Sequence, residues 1–364
     1  MSRTAARLLV VLAALLATLA VAGPAAAHVG GEAAGSNFAG RVLAMTPEVP
    51  GVSLRVLEFG DALELVNRTS AEVLVPGYDD EPYLRIGPDG VWRNANSPAT
   101  YINLDRYAEV RLPDRADARA EPDWVRVSTE PHHVWHDHRT HWMSDAVLPP
   151  AVAADPGSPH LVFEWAVPLV HDGTPVEVTG ELTWSPPPSP WLVWPLCAAG
   201  GALAVAAGLL ARTARPLGTL LLVGGAAALW HAAATPEPPV SVASHAGAVA
   251  SALLPALTAV LVAGLGFRAA RRGRGAMTGL LAVVLGWLLL VQGLPDVDVL
   301  WTANVASAGP GALARAAVAL LLALGAGLVA GGVAAIRRFR EVVPQQDGAG
   351  PYDGSAPVRP VPVG

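Results

Sequence analysis

Five of the chain's ten histidines fall within ten positions, in the stretch Pro131-His132-His133-Val134-Trp135-His136-Asp137-His138-Arg139-Thr140-His141-Trp142-Met143. Imidazole nitrogen is a ligand for zinc, copper, iron and nickel. If the stretch is extended, alternate side chains share a face, so His136 and His138 stand about 7 Å apart, from where two rings can converge on one ion. His132 has the same parity; His133 and His141 do not. Asp137 is a candidate ligand, or a group that orients a ring from outside the coordination sphere, and Met143 adds a soft thioether. Two other readings remain open for the same residues. One is a structural loop whose rings pack on Trp135 and Trp142 and bond the backbone; the other is a pH-responsive surface, because imidazole titrates near neutrality. On the metal reading the expected ion is divalent, copper before zinc, since Cu(II) stands above Zn(II) in affinity for nitrogen sites.

Hydrolytic chemistry has no carrier. Zinc hydrolases of the metallo-β-lactamase type use H-x-H-x-D-H, whereas the order His136-Asp137-His138-Arg139-Thr140-His141 misplaces the aspartate and the last histidine. H-E-x-x-H and G-x-S-x-G are both missing. The single cysteine, Cys197, allows neither an internal disulfide nor a C-x-x-C site. The expected protein is therefore not an enzyme.

The elements that must position the cluster divide in two. The chain of 364 residues is 52% hydrophobic and 15% charged, against roughly 25% charged for a soluble domain. Residues 28–189 hold 11 Arg and 24 acids, a net charge of −13, while the remainder holds 13 Arg and 6 acids, a net of +7. So acidic a region disfavours nucleic acid and favours cations or basic partners. Its apolar residues come in short β-like runs: Val52–Phe59, Ala62–Val66, Val73–Val75, Trp124–Val127, Leu161–Ala166 and Val176–Trp184. Asn67-Arg68-Thr69-Ser70 and Gly87-Pro88-Asp89-Gly90 read as turns between them. The segment Tyr78–Asp105 reads as a long crossover rather than a ligand loop, because it has no recognisable chemical spacing. The expectation is an all-β sandwich domain over 28–184, outside the cytoplasm, then a stiff Pro-rich linker over 185–190 that holds it just off the bilayer.

Five later segments are long and apolar enough to span a membrane: Trp191–Leu210, Leu217–Ala234, Ala246–Phe267, Met277–Leu294 and Ala312–Ile336. They predict an all-α transmembrane bundle of five helices within 191–336, followed by a disordered cytoplasmic tail over 337–364. Arg212, Arg215, Arg268, Arg271, Arg272, Arg274, Arg337, Arg338 and Arg340 all fall on one side, and the loops after the second and fourth segments carry no basic residue. The positive-inside rule puts that side in the cytoplasm and the β domain outside, in the cell membrane. Trp184, Trp191, Trp194, Trp230 and Trp301 fall near the outer boundary as anchors. His231, His245, Asp296, Asp298 and Arg315 lie at or beyond the outer helix ends and read as interfacial groups rather than a path through the bilayer.

The N-terminus has Arg3 and Arg7, the apolar run Leu8–Ala22, the breaker Gly23-Pro24 and then Ala25-Ala26-Ala27. This reads as a signal peptide over 1–27, because 15 apolar residues fall short of the ~20 that cross a bilayer. Cleavage after Ala27 frees an amine on His28, and amine plus imidazole can chelate Cu(II). Here the sequence resembles the bacterial periplasmic CopC copper-binding proteins, β-sandwiches with a mature N-terminal histidine that occur with or fused to membrane CopD domains. The resemblance rests on His28, the β-rich region and the apolar helices, and it implies copper handling. Val29-Gly30-Gly31-Glu32 departs from that family, and five spans are fewer than a CopD bundle has. The arrangement as a whole is similar to actinobacterial membrane proteins with a secreted β domain, a likeness that supplies no activity. The candidate metal ligands are thus His28, His132, His133, His136, His138 and His141, with copper or zinc as the ion. Membrane lipid and an envelope protein are the other expected partners, and an envelope interaction module anchored by the helices is the competing function.

Overall fold

The computed structural model describes residues 35–339 apart from 145, 242 and 243. The expected signal peptide, His28 and the tail beyond residue 339 lie outside the described residues. The N-terminal region is built from strands β1 (Gly35–Ser36), β2 (Phe38–Thr46), β3 (Val52–Leu57), β4 (Ala62–Asn67), β5 (Val73–Pro76), β6 (Pro82–Gly87), β7 (Gly90–Asn94), β8 (Trp124–Ser128), β9 (His132–His136), β10 (His160–His171) and β11 (Thr174–Trp184). Two short helices, α1 (Ala99–Ile102) and α2 (Pro150–Ala154), interrupt them. Seven strands form one antiparallel sheet in the order β2-β11-β10-β5-β6-β7-β8, and β3-β4-β9 form a second. Leu63, Leu65 and Trp135 of the small sheet meet Val75, Leu84, Ile86, Trp165, Val167 and Val178 of the large one in a single apolar core. Alternation explains which side chains go there, because residues two apart on a strand share a face.

Two local features change the expected boundaries. The strand read over Val52–Phe59 stops at Leu57, because Glu58 (φ 51°) and Phe59 (φ 60°) turn left-handed and lead into Gly60 (φ 133°). The run read as Leu161–Ala166 continues to His171, where Asp172 (φ 49°) and Gly173 (φ 72°) make a two-residue hairpin into β11. Positive φ at both central residues is what a type I′ hairpin requires, and Asp-Gly supplies it at little cost.

The C-terminal region is helical: α3 (Pro190–Leu209), α4 (Arg215–Ala233), α5 (His245–Arg271), α6 (Gly275–Gly293), a 3-10 segment over Leu294–Leu300, the short strand β12 (Asn304–Val305) and α7 (Gly311–Arg338). Four of these, Arg215–Ala233, His245–Arg271, Gly275–Leu300 and Gly311–Arg338, are long and apolar enough to cross a membrane. Helix α7 packs closely on two neighbours through its glycines. A Cβ at Gly331 would meet the Ala204 carbonyl of α3, and one at Gly332 would lie 2.6 Å from the Gly279 carbonyl of α6. Such backbone approach is how apolar helices gain packing where water supplies no driving force.

The two regions are docked together, whereas the sequence suggested a domain held off by its linker. Strand β1 pairs with β12, Gly35 opposite Val305 and Ser36 opposite Asn304. The Asp298 carboxylate accepts from Gly35 N at 2.9 Å, and Asn37 Oδ1 accepts from Ala303 N at 2.9 Å. On the other side Glu64, only 1% exposed, accepts from Val240 N at 2.6 Å, while Arg55 donates to the Pro238 carbonyl at 2.7 Å. The ionisable groups at these helix ends also have protein partners. His231 Nε2 lies 3.0 Å from Asp296 Oδ2, and Arg315 donates to the carbonyls of Thr302 and Ala303 at 2.6 and 2.9 Å.

Candidate metal centre

His136 is the last residue of β9 and pairs with Ala62 on β4. The strand explains which histidines cannot join it. His132 lies on the same face but four residues back, about 13 Å away along a strand. His133 faces the other way with Leu65 and Trp135, where burial, with Arg93 and His132 nearby, pushes its imidazole down to about 4.

Past His136 the chain reverses instead of staying extended, and Asp137 makes the turn. Its carboxylate, fully buried, accepts from Arg139 N at 3.1 Å, from Arg139 Nε at 2.8 Å and Nη2 at 2.6 Å, and from Trp135 Nε1 at 2.8 Å. Burial alone would raise the Asp137 pKa, but the bonds and charge of Arg139, with the Trp135 bond, outweigh it and lower the value. Asp137 is therefore neither ligand nor ring orienter; it is the staple of the loop. Thr140 completes the turn, its hydroxyl donating to the Asp137 carbonyl at 2.8 Å and to the Gly60 carbonyl at 2.6 Å. A Cβ on Gly60 would lie 3.1 Å from the Thr140 carbonyl, at a φ other residues rarely adopt, so the glycine sets how closely the loop approaches.

The reversal gathers His136, His138 and His141, with one ring nitrogen from each within 4.8 Å of the others. Ring centroids are 5.0 Å apart for His136–His138, 4.5 Å for His136–His141 and 5.5 Å for His138–His141. Three nitrogens around one ion at 2.0–2.1 Å sit about 3.3 Å apart, so the rings need close only modestly. Each ring is also engaged by backbone from its far side. His138 Nε2 lies 2.9 Å from the Asp105 carbonyl, which leaves Nδ1 as its free donor. His141 Nδ1 lies 3.0 Å from the Trp142 carbonyl, and His136 has a backbone hydrogen bond at Arg106. Nε2 of His136 and Nε2 of His141 are closed off from solvent and have no hydrogen-bond partner. An imidazole fixed by a carbonyl on one nitrogen and free on the other is the arrangement of metal-bound histidine.

The surroundings lower the proton affinity of His136 and His141. Burial first, then the neighbouring His138, pushes His136 down to about 4; burial first, then His136, pushes His141 down to about 3. Metal ligation needs the neutral ring. Asp61 Oδ1 lies 3.9 Å from His141 Nδ1 and is ion-paired with Arg106. A cavity of about 100 Å³ is bounded by Asp61, Arg106 and His141 on one side and by Gly35 and Ser36 of the docking ribbon on another.

The segment Tyr78–Asp105 does more than cross over. It contains β6, β7 and α1, and its two ends hold His138: Tyr78 Oη accepts from His138 N at 3.0 Å, and Asp105 supplies the carbonyl. Asp61, Tyr78, Asp105 and Arg106 carry no local signal in the sequence, since each is at least 30 positions from His136. Met143 is 39% exposed. The chain matches no protein-family model, no curated protein and no solved structure.

The lowered imidazole values fix the sign of an acid response. Unfolded histidine takes up a proton near pH 6.5, whereas His136 and His141 in the folded chain do so only at about 4 and 3. The unfolded state therefore binds more protons between these limits, and stability falls as pH drops from about 6.5 towards 4. The metal-free chain should lose melting temperature over that window, and a His136→Gln/His141→Gln variant should lose less; equal slopes would contradict the assignment. Replacing Asp137 by Ala leaves the Arg139 charge buried and unpaired, for an expected loss of roughly 3–5 kcal/mol in chemical denaturation. A loss below about 1 kcal/mol, the range of an exposed pair, would show that the staple does not hold the loop.

Proposed function

We propose that this is a cell-envelope membrane protein whose outer domain holds a transition-metal ion, copper before zinc, through His136, His138 and His141. The observation that carries the reading is the triad itself, one ring nitrogen each from His136, His138 and His141 within 4.8 Å of the others, in which Nε2 of His136 and of His141 are buried without a partner. A buried nitrogen without a partner is costly, and an ion removes that cost. Copper is favoured over zinc by the order of affinities for nitrogen donors. The reading needs neither His132 nor His133, and His28 carries no part of it. The function is binding rather than catalysis, because the polar groups nearest the triad are committed to each other: Asp61 to Arg106 and Asp137 to Arg139.

Within this reading the two sheets and their common core form a β-sandwich, and α3 serves as a fifth span. The domain lies outside the cell after removal of a signal peptide. The docking supports this orientation, since the domain sits on the loops at Pro238–Val240 and Asp298–Val305, which carry no arginine. The CopC-like reading of copper handling agrees with the choice of ion.

Metal analysis of the purified full-length chain should give about one ion per chain, and His136→Ala/His138→Ala should bring it near zero while the circular dichroism spectrum is retained. Equal metal content in the two proteins would sink the assignment. For orientation, a reporter active only in the cytoplasm, fused after Gly364, should give signal; silence there with activity from an exported reporter would reverse the topology.

A further inference from the structure

We propose that the exposed face of α5 is a binding site for an anionic phospholipid, whose headgroup phosphate is held by Arg268 and Arg272 and whose acyl chain lies along Leu254, Leu257, Leu261 and Leu265. The site is independent of the metal reading and of which side of the membrane this end faces. Helix α5 is long and apolar enough to cross a bilayer. The six residues are spaced by three or four, so they share one side of the helix, which Arg272 closes as its C-cap. The four leucines are between 47% and 62% exposed, and both arginines are exposed. From Leu254 to Leu265 the helix rises about 17 Å at ~1.5 Å per residue, close to half of the ~30 Å hydrocarbon core and so to the depth of one leaflet. Arg268 and Arg272 follow about one and two turns further on, at headgroup level.

Charge decides what covers this face. Arg212, Arg215, Arg271 and Arg274 are exposed at the same end, because Gly218 near the start of α4 packs against Ala270 near the end of α5. The described carboxylates of the helical region, Glu237, Asp296 and Asp298, all lie at the other end, engaged with Arg55, His231 and Gly35 N. No described carboxylate therefore competes with a phosphate here, and each arginine beside an anionic bilayer surface strengthens attraction to it roughly fivefold. A second copy of the chain fits the face poorly. Two copies related by a two-fold axis along the membrane normal would set Arg268 and Arg272 against their own counterparts, with no acid to offset the repulsion. Helices that pair in membranes also approach through small residues, whereas this stripe is leucine. Gly264, beside the stripe one turn before Arg268, would meet nothing within 4 Å if it carried a Cβ, which leaves an opening at the headgroup end of the stripe.

The test places the full-length protein in nanodiscs that hold equal amounts of phosphatidylglycerol and phosphatidylcholine with identical acyl chains, and counts the lipids it retains on release by native mass spectrometry. Phosphatidylglycerol should be retained at least about tenfold over phosphatidylcholine, within the roughly 25-fold that two arginines supply. The excess should shrink as ionic strength rises from about 0.1 M to about 1 M, over which the Debye length falls from ~10 Å to ~3 Å. Arg268→Gln/Arg272→Gln should bring the ratio near one, Arg268→Lys/Arg272→Lys should keep most of it, and Arg337→Gln, on α7, should leave it unchanged. Equal retention of the two lipids by the wild type, or an excess untouched by the glutamine pair, would overturn the proposal. So would loss of the excess to inorganic phosphate at matched ionic strength, which would make free phosphate the ligand. A wild-type dimer broken by Leu257→Ala/Leu261→Ala would overturn it as well, by making the face a contact between copies. If the glutamine pair does not fold, Arg268→Gln and Arg272→Gln decide singly, each lowering the excess about threefold or more.

Discussion

The Asp137–Arg139 ion pair is the constraint on which the centre depends. A histidine at the end of a strand and two more in the next five residues do not meet while the chain stays extended. They meet because Asp137 accepts from Arg139 N in the manner of an Asx turn and then ties the same arginine's guanidinium and the Trp135 indole to one buried carboxylate. Arg139 is held in turn over the Tyr78 ring, 5.2 Å from its centroid. The same tyrosine accepts from His138 N, so the turn, the aromatic ring and one ligand form a single unit. A buried pair of this kind is a poor source of net stability, but losing either member is expensive. Its contribution is to make one loop conformation far cheaper than the rest.

Strand β4 connects that loop to the membrane region. Asp61, just before it, stands beside His141; Ala62 pairs with His136; and Glu64, on the same face as Ala62, holds the loop between α4 and α5. The second attachment, β1 on β12, lies across the cavity that His141 and Arg106 line. The β-rich region is thus fixed to the helices through the residues adjoining the triad. This differs from an anchor reached by a flexible tether, in which the bound and membrane parts would be mechanically independent.

Much of this was legible in the sequence, for physical reasons that also show where reading stops. The apolar segments stand out because length and hydropathy are local properties, and the density of histidine at 132–141 marks the site without any fold. Strand parity then failed at one definite point. It grouped His136 with His138, correctly in outcome, but excluded His141 and included His132, because the period of two ends where β9 ends. From spacing alone Asp137 reads as a ligand or a ring orienter, because spacing cannot distinguish either from a turn staple. At Asp172-Gly173 the hairpin signal was present in two residues, and the longer strands on each side follow from it. The docking was out of reach: Gly35 meets Asp298 across 263 positions, and no local pattern encodes such a contact.

The cost of the arrangement is itself informative. Folding buries His141 and half-buries His136 and His138, lowers the proton affinity of His136 and His141, and leaves two ring nitrogens without a partner. A loop whose purpose was only to connect β9 with α2 would gain from replacing any of these rings with an apolar side chain of similar size, since buried polar groups stabilise only when satisfied. The surrounding structure instead invests in the rings. Backbone carbonyls, a tyrosine and two ion pairs brace the loop, and one ring nitrogen of each histidine lies within 4.8 Å of the others. Such preorganisation is unfavourable for the empty chain and favourable once a shared partner arrives, because the entropy of gathering the ligands has already been lost on folding. A locally destabilised but tightly braced cluster of this kind could be completed by a metal ion.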